Sequence, residues 1–166
     1  MILLVFSLVF TTVIILQTTF FKMFGSLAPD TILLIAIYCG LRFEKFRGIQ
    51  IGILLGLTQD LLSYGLLGIN FLTKGLIGFF SGIVGESNTI IGNSPVIWAV
   101  LVFLSTLTDS MILKTALSGF FDTPISLSLT FWNIIIQSVL NIIFGIPFFI
   151  LLDMLGNWMK ESSLKS

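Results

Sequence analysis

The sequence predicts an all-α membrane protein of six transmembrane helices, and three observations carry that reading. Hydrophobic residues make up 56% of the chain and charged residues 10%, whereas soluble domains hold roughly 45–50% and 25%. Apolar runs long enough for helices recur along the chain, separated by turn-forming residues. With 166 residues and about 20 apolar residues needed per span, six spans nearly exhaust the length. Residues 1–166 are therefore expected to form a single transmembrane domain.

The first span is expected over about residues 2–21. It resembles a signal peptide in position but has no basic start and no small-residue cleavage site, so it reads as a retained helix. The second runs from about 29 to 41, where Pro29 suits a first helical position and Asp30 a positive helix end. The polar connection Arg42-Phe43-Glu44-Lys45-Phe46-Arg47 leads into a third span over 48–63. The fourth covers 71–85, the fifth 95–117 and the sixth 127–155. Pro147, after Gly145, predicts a kink in the last of these.

Orientation follows from basic residues near span ends. Arg42, Lys45 and Arg47 share one connection, and Lys160 and Lys165 lie in the tail. Six spans place both on the same side, so both termini are expected in the cytoplasm; Lys22 alone clearly opposes this. Eight basic and eight acidic residues balance, so no global field recruits nucleic acid. The absence of His and the single Cys39 remove the commonest general base, intramolecular disulfides and multi-cysteine metal sites. No enzyme, cofactor or metal site is expected.

Small residues recur at helical spacing. Gly48, Gly52, Gly56 and Asp60 advance by four, which places them on one slowly drifting stripe. Gly75, Gly78, Ser81, Gly82 and Gly85 repeat the device in the next span. Such residues let membrane helices approach closely, either within this chain or between chains. Asp60, beside Gln59, needs a partner because a carboxylate in hydrocarbon costs about 2.5–3.5 kcal/mol at the centre of a span. Lys74, Asn70 and Ser63 are nearby in sequence. An Asp60–Lys74 ion pair closing the turn between the third and fourth spans is one reading, and a ligand or proton site is the other. Under the first reading an Asp60→Asn change is expected to be tolerated, since an amide keeps acceptor capacity.

Asp109 and Lys114 lie in the fifth span but about 140° apart around the helix, so each must look elsewhere. Lys114 can snorkel to the outer interface; Asp109 has a hydrogen-bonding or a functional role. Asn133, Gln137 and Asn141 form a polar ridge suited to interhelical bonding. Two membrane aspartates, Asp60 and Asp109, are also the minimum for an intramembrane aspartyl protease, but the motif context such enzymes use is missing.

The stretch Gly56-Leu-Thr-Gln-Asp-Leu-Leu-Ser-Tyr-Gly-Leu-Leu-Gly-Ile-Asn70, following a basic loop, resembles the segment typical of the rod shape-determining MreD family. Pro29-Asp30 opening a short helix that ends in Tyr38 and Leu41-Arg42 fits the same family. So do the two glycine-rich spans that follow. The resemblance singles out Gln59, Asp60, Ser63, Gly68 and Asn70; with Lys74, which is less usual for the family, and Asp109 of the fifth span, these are the candidate structural or partner-binding residues. It implies a scaffold of the cell-elongation complex in the bacterial inner membrane, binding the single-span protein MreC. That scaffold would link the MreB filament to peptidoglycan synthesis by RodA and its partner transpeptidase. The family's fold is similar to the S component of energy-coupling-factor transporters, so a vitamin-binding subunit is the alternative. Against it, the expected outer connections are short and poor in the convergent polar groups a ligand pocket needs.

Overall fold

A computed structural model describes residues 28–63, 67–87, 94–121 and 127–164. The expected first span and the connection after it lie outside these residues, as do Lys165 and parts of the other loops. The described residues form five helices and no strand: α1 (Thr31–Arg42), α2 (Lys45–Leu62), α3 (Ile69–Ser87), α4 (Pro95–Phe121) and α5 (Leu127–Leu164).

Local chemistry explains where they start. Pro29 is not helical; Asp30 is the N-cap of α1, its Oδ1 accepting from the Leu33 N–H at 2.9 Å. This corrects the expected first helical position, because a capping carboxylate needs non-helical backbone while its side chain turns inward. α2 begins at Lys45, inside the connection read as polar, and α5 runs on to Leu164, continuing through Pro147. In both extensions charged and polar residues continue an established helix without any apolar signal.

The helices alternate in direction. Asp30, Asp60, Lys74, Asp109 and Asn141 meet at one end of the bundle. Arg42, Lys45, Glu86 and Asp153 are paired at the other. At 12 residues, or about 18 Å, α1 is too short to cross a bilayer. It is instead the central helix: Ile32, Leu33, Leu34, Ala36, Ile37, Gly40 and Leu41 are all buried.

Glycines bring α1, α2 and α3 into backbone contact. A Cβ on Gly48 would fall on the Gly78 carbonyl, one on Gly52 on the Lys74 carbonyl, and one on Gly56 on the Asn70 carbonyl. Gly78 and Gly82 meet Gly48 and Lys45 in the same way, and Gly40 packs against Gly78 and Ser81. The stripes are therefore used within the chain. The α4–α5 hairpin packs on this unit through one apolar cluster, in which Trp98, Val102 and Phe149 meet Leu33, Leu34, Ile37, Leu41 and Ile77.

The distribution of polarity is inverted relative to a soluble bundle. Asp30, Asp60, Asn70, Thr73, Lys74, Thr106, Asp109, Ser138 and Asn141 are buried. Leu54, Leu57, Leu61, Leu72, Leu76, Phe80, Val100, Leu104, Ile143 and Phe144 are exposed. In water this arrangement would forfeit the hydrophobic effect, whereas in lipid it turns apolar side chains to the hydrocarbon and keeps the charged ones inside. By length and composition, Pro95–Phe120 and Thr130–Asn157 can each span a membrane.

Candidate functional site

The site grows from the turn between α2 and α3. Gly68 has φ +101°, a left-handed conformation that glycine adopts without Cβ strain. The turn it makes points the first N–H groups of α3 back at Asp60. Asp60 Oδ2 accepts from the N–H of Gly68 at 2.9 Å and of Phe71 at 3.0 Å. Its Oδ1 accepts from Asn70 N–H at 3.2 Å and Asn70 Nδ2 at 2.9 Å. The buried carboxylate thus caps the positive end of a neighbouring helix.

The expected Asp60–Lys74 pair is not formed. Asn70 stands between them, giving its Nδ2 to Asp60 and accepting from Lys74 Nζ on Oδ1 at 3.0 Å. The fully buried Lys74 ammonium reaches Asp30 Oδ2 and Asp109 Oδ1, each at 3.2 Å. Its three protons are therefore matched by Asn70, Asp30 and Asp109. Asp109 also accepts from the Thr73 hydroxyl at 2.7 Å. The reason is rotational: Lys74 sits on the α3 face turned to α1 and α4, and the backbone donors at the turn already occupy Asp60.

The network reaches α5. The Asp30 N–H donates to Asn141 Oδ1, and Asn141 Nδ2 donates to Thr106 Oγ1, both at 2.9 Å. Ser110 Oγ and Gln137 Oε1 lie 3.1 Å apart, joining α4 to α5 once more. Gln59 Nε2 lies 3.5 Å from Asp30 Oδ2, and its Oε1 is buried with no partner among the described residues. Ser63 is not part of the network; it is exposed and ends α2. Asp60 and Asp109 do not form a dyad sharing a proton, since Asn70 and Lys74 separate them. Among the described residues no group of three His, Cys, Asp or Glu could hold a metal.

Three carboxylates share the site with one ammonium, which touches only Asp30 and Asp109, and helix ends account for the excess. Asp30 caps α1 and Asp60 caps α3, each against a partial positive charge of about half a unit. Lys74 then joins Asp109 to this pair of caps.

A second polar cluster closes the opposite end. Asp153 accepts from Tyr38 Oη at 2.8 Å and pairs with Arg42, whose guanidinium lies 5.8 Å from the ring centres of both Tyr38 and Trp98. Glu86 accepts from the Lys45 N–H at 2.8 Å and faces its ammonium at 3.0 Å. These donors hold the Glu86 carboxyl below its ordinary range. The α2–α3 pair is capped reciprocally, Asp60 of α2 serving α3 and Glu86 of α3 serving α2.

Asp30, Thr73 and Asp153 were not read from sequence as members of any site. An N-capping aspartate gives no hint of a second partner, and Asp153 lies 111 residues from Arg42.

The geometry removes the basis for expecting Asp60→Asn to be tolerated, since the ion pair with Lys74 is not formed. Each Asp60 oxygen accepts two hydrogen bonds, so an amide must aim its NH₂ at two N–H donors whichever way it is turned. Asp60→Asn is expected to cost about 1–3 kcal/mol, the penalty for unsatisfied buried donors, and to lower the melting temperature of the purified protein. A melting temperature equal to wild type would show that the cap contributes nothing.

The family model described as rod shape-determining protein MreD matches residues 1–155. No curated protein and no solved structure matches the chain significantly.

Proposed function

Because the chain belongs to the rod shape-determining protein MreD family, we propose that it is the multi-pass inner-membrane scaffold of a bacterial cell-elongation complex. In that role it binds MreC and connects the MreB filament to peptidoglycan synthesis. A part in rod-shape determination within a membrane follows from the family itself. The finer reading is supported by one observation above all: the buried charged groups and the amides between them are spent on each other. Lys74, Asp30, Asp60, Asp109 and Asn141 are matched by protein donors and acceptors, as befits a rigid platform.

The alternation of the helices supports an orientation with the 42–47 connection and the tail in the cytoplasm. From Trp132 to Asp153, α5 measures about 31 Å at 1.5 Å per residue, close to the roughly 30 Å of a hydrocarbon core. Trp132 and Lys114 then mark the outer boundary, and Arg42, Trp98 and Asp153 the inner one, residue types that favour interfaces.

Two measurements test this reading. In a Cys39→Ser background, Glu44→Cys should resist an impermeant thiol reagent in intact cells, and Gly119→Cys should react. Reversed labelling would overturn the orientation. The gene should also restore rod shape to cells lacking their own copy, and MreC should co-purify with its product in mild detergent. Round cells despite normal membrane abundance would overturn the scaffold role.

A further inference from the structure

We draw no further inference here: the strongest candidate, the outer end of the buried Asp30–Lys74–Asp109 cluster where Gln59 Oε1 has no donor among the described residues, belongs to the polar network already described, and nothing in the structure shows what would fill it.

Discussion

Gly52→Leu is expected to abolish accumulation of the folded protein. A Cβ at Gly52 would overlap the Lys74 carbonyl oxygen, with the Lys74 carbonyl carbon next at 2.8 Å and Gly75 Cα at 3.1 Å. All three are backbone atoms of α3, which cannot rotate out of the way as a side chain can. The helices must separate, and membrane helices gain little on separation except lipid contact in place of close packing. Overpacking of an ordinary core costs about 1–3 kcal/mol, and here Gly48, Gly56, Gly78 and Gly82 share one interface, so the displacement spreads along it. The damage also reaches the polar network, because Lys74 supplies both the touched carbonyl and the central ammonium. Gly52→Ala should already lower the melting temperature by several degrees. Gly119→Leu and Gly156→Leu, where an added Cβ meets nothing within 4 Å, are the controls. If Gly52→Leu accumulates and melts like these controls, the α2–α3 contact is not what holds the bundle.

How much of this was legible in the sequence depended on whether the signal was local. The glycine stripes on Gly48–Gly56 and Gly75–Gly85 were readable because i, i+4 spacing fixes a face. The order and approximate extent of α1 to α5 were readable because apolar runs end at Pro, Gly or charge. The start of α2 at Lys45 and the end of α5 at Leu164 were not, since neither residue marks an apolar boundary. The partner of Lys74 was misread for a different reason. Nearness in sequence favoured Asp60, but the choice depends on helix rotation, and the true partners lie 35 and 44 positions away in α4 and before α1. The family resemblance around Gln59-Asp60 was legible and is matched over residues 1–155, yet it did not reveal that Asp60 caps a helix.

Lys74→Met should be the most damaging single change within the polar network. It removes the ammonium that Asp30, Asp109 and Asn70 share while keeping most of the side-chain volume. Breaking a buried ion pair by deleting one partner costs about 3–5 kcal/mol, because the remaining charge is stranded; here two carboxylates are left facing each other. The damage should be relieved in steps as those charges are removed. Lys74→Met with Asp109→Asn should accumulate better than Lys74→Met alone, since the amide keeps an acceptor for the Thr73 hydroxyl. Adding Asp30→Asn should recover more, because Asn still caps the Leu33 N–H at the start of α1. Asp60→Asn added to Lys74→Met should recover nothing, as Asp60 draws on the backbone of α3 and not on the ammonium. Membrane abundance and melting temperature of the six proteins, wild type included, with Asp109→Asn alone as the sixth, close the double-mutant cycle between Lys74 and Asp109. Coupling near zero between the two, or rescue by Asp60→Asn as large as rescue by Asp109→Asn, would mean that charge pairing at Lys74 does not hold α4 to α3.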